Sequence, residues 1–394
     1  MIDMKTVKNE KFLITGATGF LGSHIMAGLL LKGKSVVILG RPSGGQSLKA
    51  RISRLLNWFG IGHLERLLEF YETDFLKIRL GLNENEYEDL RRQHFSIIHC
   101  ASDTSFTENN RERVMRSNVE SLKEIMNFAQ SSKTSCFHFI STAYAAGIDY
   151  IECPEAPVIS THFTNVYEES KARGEWEVSA RCQEKRIPYT IIRPSIVYGD
   201  SVNGKSLRFN ALYYPVRSLQ HIRDIYLNDL RNNNGKKSAE CGIYINDEGA
   251  LHLPVRIFIP TEGSINLVPV NYFTETMLSI IEKSETGAIY HITSNHPESI
   301  VRLVSYTERF LNIAGIEVVV GKSCAEEMRN PPEELFDYFI KAYRPYISDT
   351  RNFTRKNMDK AVSGVLPPDF SYEIFRKCMA YAVSTEWGKR LFND

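Results

Sequence analysis

The chain has 394 residues, 43% hydrophobic and 24% charged, with a net charge of +1, enough for a large core and a smaller second lobe. The near-zero charge without Lys/Arg blocks excludes a nucleic-acid-binding surface, no apolar run approaches the ~18 residues of a membrane span, and polar residues 1–11 exclude a secretory signal. Seven scattered cysteines with no C-x-x-C pair, and ten dispersed histidines, exclude a disulfide frame and a zinc site and point to a reducing cytoplasm.

The first element is an apolar run at 12–15, followed by Gly16, Gly19 and Gly22 spaced G-x-x-G-x-x-G and by a helical apolar pattern over 21–31. This strand–turn–helix leaves backbone N–H groups and the positive helix end free for a pyrophosphate, and glycine lets the phosphate approach the backbone. Thr15, Gly16, Thr18, Gly19, Phe20, Leu21 and Gly22 are therefore candidate cofactor residues. Further strands are expected at 35–39, 68–71, 96–100, 136–141 and 189–193. Helices are expected at 46–59, 84–92, 111–130 and 165–185. This alternation predicts a parallel sheet covered on both faces, in the doubly wound α/β Rossmann-type architecture.

The second strand ends in Gly40-Arg41, where an NAD site would carry Asp or Glu for the ribose 2′-hydroxyl. Arg41, with Arg51 or Arg54 on the next helix, suits a 2′-phosphate instead and predicts NADP(H). Asp74, with the adjoining Phe75, is a candidate for the adenine end. Tyr167 and Lys171 stand four apart on the predicted 165–185 helix and so share a face. A tyrosine hydroxyl can give a proton to a carbonyl oxygen, while a neighbouring ammonium lowers the phenol's pKa and holds the nicotinamide ribose. Ser141-Thr142, at the end of the strand before that helix, supplies hydroxyls for the same oxygen.

Beyond Asp200 the pattern loosens. Residues 203–235 read as helical and aromatic, 232–237 as a polar loop, 243–245 and 255–260 as short strands, and 288–293 as a returning strand. A helix at 298–313, a strand at 316–320 and an aromatic stretch after Pro331-Pro332 complete the chain. The reading is a cofactor-binding domain over 1–200, its sheet completed by segments near 255–295. A smaller, mostly helical substrate lobe over 201–394 is laid on the sheet's C-terminal edge, where clefts open.

From about Lys11 to Thr293 the chain resembles the extended short-chain dehydrogenase/reductase superfamily, and within it the thioester reductase and fatty acyl-CoA reductase group. The resemblance is carried by Thr15–Gly22, by Gly40-Arg41-Pro42 with Arg51-Ile52, and by Ile97-Ile98-His99-Cys100-Ala101-Ser102 with Phe106. It continues in Asn118-Val119, Phe139-Ile140-Ser141-Thr142-Ala143-Tyr144, Asn165-x-Tyr167-x-x-Ser170-Lys171-x-x-x-Glu175 and Ile192-Arg193-Pro194-Ser195-Ile196-Val197-Tyr198-Gly199-Asp200. Leu267–Tyr272 and Tyr290–Thr293 match two further family segments. Ser102 and Thr104 depart from the more usual Ala and Val.

The resemblance implies that Thr142, Tyr167 and Lys171 are catalytic, and that Cys100, Ala101, Ser102, Pro194, Ser195, Ile196 and Val197 line the dinucleotide. It further implies an acyl thioester as substrate, brought by coenzyme A or an acyl carrier protein and reduced to an aldehyde or onward to an alcohol. No nucleophilic cysteine is needed, and Cys100, on an apolar strand, reads as a buried structural thiol. A sugar-nucleotide epimerase or dehydratase and a ketone or hydroxysteroid oxidoreductase share the Tyr/Lys machinery, and a non-catalytic NADP-sensing regulator shares the fold. The aromatic segments 207–226 and 336–346 are candidate walls of an acyl channel.

Overall fold

The computed structural model describes residues 11–283, 285–321 and 328–392; the polar N-terminal residues 1–10 and Cys324 lie outside them. Seven strands form one parallel sheet: β1 (Lys11–Thr15), β2 (Val36–Gly40), β3 (Leu68–Glu72), β4 (His94–His99), β5 (Lys133–Ile140), β6 (Tyr189–Pro194) and, after a long excursion, β8 (Ala288–Ile292). The spatial order β8-β6-β5-β4-β1-β2-β3 reverses direction between β1 and β4. A ligand crevice opens at that switch point, outside the carboxyl ends of the strands.

Alternation along the strands sends side chains into two cores, as expected of a sheet buried on both faces. Phe12 and Ile14 join Val36, Ile38 and the helices α1 (Phe20–Leu31), α2 (Leu48–Trp58) and α6 (Val270–Lys283). Leu13 and Val37 face the other way, into a core shared with α3 (Ser121–Ser131) and α4 (Val166–Lys185). The helix expected over 111–130 is present with a π-helical turn at Arg116–Glu120 in its middle. That turn brings buried Asn118 onto Ser170 Oγ at 2.8 Å and the Asp103 carbonyl at 2.9 Å.

The rest of the chain packs around its own core, in which Val216, Ile222, Leu253, Phe336 and Phe375 are buried. Besides α5 (Tyr213–Asn232) and later helices, this lobe carries a three-stranded sheet, in which β7 (Leu251–Ile259) pairs in parallel with β9 (Ile313–Val320) and antiparallel with Tyr244–Ile245. Thus of the returning segments only β8 enters the large sheet; β7 belongs to the lobe. Helix α5 begins ten residues later than the 203 expected, because the preceding loop turns through Gly204 (φ +76) and Ala211 (φ +44). After the lobe the chain returns beside β8 and adds a separate two-stranded pairing there. Asn352–Phe353 pairs with Glu152–Cys153, and Glu155 accepts from the backbone N–H groups of His291, Asn357 and Met358.

Candidate active site

A cleft of about 360 Å³ lies over the β1 turn at the switch point. The turn is shaped by its glycines. Gly16 has φ +75, and a Cβ there would lie 2.5 Å from Ala101 N; one on Gly22 would lie 2.3 Å from the Gly16 carbonyl. Side chains at these positions would fill the cradle and push the helix off the strand. Thr15 lies beneath it, fully buried, its Oγ1 2.9 Å from His99 Nδ1 and accepting from Ala101 N at 3.3 Å. Thr15 and Ala101 therefore brace the turn from inside the sheet rather than line the cleft.

The structure brings most of the expected residues to this one cleft: Gly16, Gly19, Phe20, Leu21, Gly22, Cys100, Ser102, Thr142, Tyr167, Lys171, Pro194, Ser195, Ile196 and Val197. The departures Ser102 and Thr104 line it too. Asn165 caps α4 by accepting from Glu168 N, which starts the helix where Tyr167 and Lys171 face the cleft together. Lys171 is only 3% exposed, and its ammonium donates to the Ile140 carbonyl at 2.8 Å. Burial lowers its pKa to about 8. Tyr167 is pushed above the ordinary phenol range by burial first, then by Cys100 and Glu168. In the free protein, desolvation thus outweighs the pull of the neighbouring ammonium that the Tyr/Lys spacing suggests. Among the described residues Thr142 Oγ1 has only long bonds, donating to the Pro194 carbonyl at 3.5 Å and accepting from Tyr144 N at 3.4 Å. Ser141 is committed elsewhere, to buried Glu175 at 2.5 Å.

Other expected residues lie outside the cleft lining. Thr18 lines a second cavity next to it. Arg41 and Arg51 stand at the end of β2, where Arg51 Nη1 donates to the Arg41 carbonyl at 2.9 Å. Burial and the neighbouring Arg41 and Arg54 cations pull Arg51 below its usual value, so this corner gathers guanidinium groups that repel one another. Asp74 is spent on its own turn, accepting from Leu76 N and pairing with Lys77, and Phe75 packs against the second core. Cys100 has its thiol pushed up to about 11 by burial, which keeps it protonated. Among the described residues no cluster of metal ligands occurs, and no helix is long and apolar enough to cross a membrane.

One group escapes a sequence reading. Glu168, beside Tyr167, is 0% exposed; its Oε1 accepts from Tyr346 Oη at 2.6 Å, and Arg351 approaches Oε2 at 3.5 Å. Asn165 Nδ2 also donates to Tyr346 Oη, at 2.6 Å. Tyr346 and Tyr343 then pack with Phe106, whose ring lies 6.0 Å from that of Tyr167, so the segment around Tyr343 and Tyr346 roofs the start of α4. The only local hint is an acid three residues after the capping Asn165, which reads as a cap and nothing more. Of the aromatic pair at the start of α5, Tyr213 is a core residue, 2% exposed with its oxygen accepting from Gly199 N at 2.9 Å. Tyr214 packs its ring at a tilt against Tyr343, centroids 5.3 Å apart, and lines the second cavity.

The residues present fit a nicotinamide dinucleotide. The glycine cradle leaves room for its pyrophosphate, and among the described residues Ser195 Oγ, buried in the cleft wall, has no partner and Lys171 uses one of three ammonium donors.

Residues 14–277 match an NAD-binding family model described as Male sterility protein. The nonribosomal peptide synthetase asaC of Aspergillus flavus is 23% identical over 321 residues, which cover 75% of this chain and 27% of the synthetase. Fatty acyl-CoA reductase 2 of Homo sapiens is 25% identical over 325 residues, covering 73% of this chain and 58% of that protein. This chain thus spans about a quarter of the first relative and little more than half of the second. In fold it is similar to the terminal R domain from the myxalamid PKS-NRPS biosynthetic pathway, with a TM-score of 0.74 at 19% identity over 96% of this chain and 91% of that one.

Proposed function

The chain belongs to the Male sterility protein family, and from that premise we propose that it is an NADPH-dependent thioester reductase, converting an acyl thioester to an aldehyde and a free thiol. The observation that carries this reading is the convergence of Thr142, Tyr167 and Lys171 on one mostly apolar cleft beside the glycine turn. The relatives' names, a fatty acyl-CoA reductase and a peptide synthetase, support an acyl group held as a thioester. The acyl donor is coenzyme A or a carrier protein. In this reading residues 1–200, with β8, hold the cofactor and the lobe over 201–394 receives the acyl arm. The six described cysteines are free thiols and fit a cytoplasmic enzyme.

A nicotinamide cofactor bound over the turn supplies the hydride. The chain's own part begins with Tyr167 Oη, which keeps its proton at neutral pH and donates it to the former carbonyl oxygen. Thr142 Oγ1, weakly engaged, turns to give that oxygen a second hydrogen bond as charge develops. Lys171 Nζ, fixed by the Ile140 carbonyl, holds the ribose and favours the ionised phenol after proton transfer. The aromatic roof of Phe106, Tyr343 and Tyr346 keeps water from the acyl carbon. An assay of NADPH oxidation over acyl-CoA, acyl-carrier, aldehyde and sugar-nucleotide substrates, with released thiol titrated, tests the reading. Turnover of sugar nucleotides, with no thiol from any thioester, sinks it.

The cofactor preference rests on the Arg41–Arg51–Arg54 corner, where mutual repulsion makes an added anion favourable. Arg41→Ala is expected to weaken NADPH by about 1.5–3 kcal/mol, the worth of a charged hydrogen bond, and NADH hardly at all. Fluorescence titration of both cofactors reads this. Equal losses, or a wild type preferring NADH, contradict the NADP assignment.

Lys171 sets a pH limit. Its ammonium is present below about 8 and lost above it. Log kcat/KM is therefore expected to fall above pH 8 towards a slope of about one per pH unit, the form for one essential protonated group. The linked stability moves the other way. Between 8 and the ordinary lysine value the unfolded chain binds more protons, so the Lys171 contribution to stability rises with pH. A profile flat to pH 10 rules out an essential Lys171 ammonium.

A further inference from the structure

The catalytic cleft shares a wall with a second cavity of about 390 Å³, since Phe20, Arg208 and Asn210 line both. Thr18 of the turn, Arg217 of α5, and Trp387 and Phe392 also line the second cavity, and among the described residues no carboxylate does. Arg208 and Arg217 are exposed, and among the described residues neither guanidinium has an ion-pair or hydrogen-bond partner. The place is concave, cationic and aromatic-walled, and it opens beside the reacting groups.

Guanidinium forks without carboxylates suit a phosphate, which they can grip through paired N–H donors. On the reading above, the cofactor's phosphates are already provided for. Its pyrophosphate has the backbone N–H groups of the turn, and its 2′-phosphate has the Arg41 corner. Arg208 and Arg217 come instead from the lobe that receives the acyl arm. A thioester on coenzyme A or on a carrier protein hangs from the same pantetheine arm, and that arm ends in a phosphate. We propose that the second cavity is the phosphate subsite for this arm, with Arg208 and Arg217 as its donors and the Phe20–Arg208–Asn210 wall as the point where the arm passes into the catalytic cleft. The proposal rests on the thioester reading and adds to it the element by which the enzyme tells a tethered acyl group from a free aldehyde.

The test compares wild type with Arg217→Gln and Arg208→Gln on three thioesters of one acyl group: acyl-CoA, acyl-carrier protein and S-acyl-pantetheine, which lacks the phosphate. Each variant is expected to lose about tenfold or more in kcat/KM on a phosphate-bearing donor relative to S-acyl-pantetheine. A loss confined to acyl-CoA, or to the carrier, assigns that donor as the natural source; a loss on both supports the shared phosphate. An equal loss on all three substrates, or a matching rise in the NADPH dissociation constant, overturns the proposal. Calorimetric titration with 4′-phosphopantetheine and with pantetheine keeps the subsite testable apart from turnover. Wild type is expected to bind the phosphorylated compound more tightly and Arg217→Gln to lose that difference; equal binding of the two by wild type overturns the subsite. A wild type that binds phosphopantetheine selectively yet oxidises NADPH with no thioester removes the reductase reading and leaves the phosphate subsite standing.

Discussion

Tyr167→Phe is expected to lower turnover about 10²-fold or more while leaving NADPH affinity nearly unchanged, the scale at which a positioned acid contributes. The substitution keeps the ring that packs 6.0 Å from Phe106 and removes only the hydroxyl. Lys171→Ala is expected to behave differently, weakening both turnover and cofactor binding. It deletes the ammonium from a site where the Ile140 carbonyl is its bonded partner at 2.8 Å. Steady-state kinetics paired with cofactor titration separate the two. Near wild-type turnover in Tyr167→Phe would mean that another group donates the proton.

The second large effect is on stability. Arg193 of β6 and Glu175 of α4 form a buried pair, with Arg193 0% exposed, and two bonds at 2.6 and 2.9 Å join them. Although burial works against its charge, the Glu175 carboxylate holds Arg193 above its usual value. Remaining donors reach the Pro154 carbonyl and His291 Nε2. Burial pushes His291 down to about 3, so its ring is neutral; Nδ1 donates to the Thr354 carbonyl and Nε2 accepts from Arg193. Glu175→Ala leaves the guanidinium buried and unpaired, and is expected to cost about 3–5 kcal/mol of unfolding free energy. It also frees Ser141, the neighbour of Thr142, so activity falls along with stability. The double change Glu175→Leu with Arg193→Met removes both charges and is expected to recover most of the loss. Urea unfolding of the three proteins decides; a loss under about 1 kcal/mol in Glu175→Ala contradicts the argument, because a buried orphan charge cannot be that cheap.

The glycine turn, the alternating strands and helices, and the Tyr167/Lys171 pair on one helix face could all be read along the chain because each is a local device. Three glycines within seven residues make the cradle, a period of two makes a strand, and a separation of four sets two side chains on one helix face. The six strands expected in the first half lie where the alternation put them, within a few residues. Even the choice of Arg41 over an acid is a local substitution at a known place in a βα unit. The family resemblance singles out Thr142 from the Ser141-Thr142 pair and adds the expectation for Ser195 and its neighbours, on which the pattern alone is silent.

What the chain did not disclose depends on partners far apart in sequence. Glu168 reads as a cap until Tyr346, 178 residues later, lays its hydroxyl on it. Tyr213 and Tyr214 look alike as neighbours, yet one is buried in the lobe core and the other faces a cavity, because packing against Gly199 and Tyr343 decides which face of α5 each meets. The pairing of β7 with β9, which keeps β7 out of the large sheet, is of the same kind. A local pattern reports whether a segment can be a strand and which side of it is apolar. Which strand it joins, and which charge it must neutralise, is decided only when the whole chain has closed its cores and taken those groups out of water.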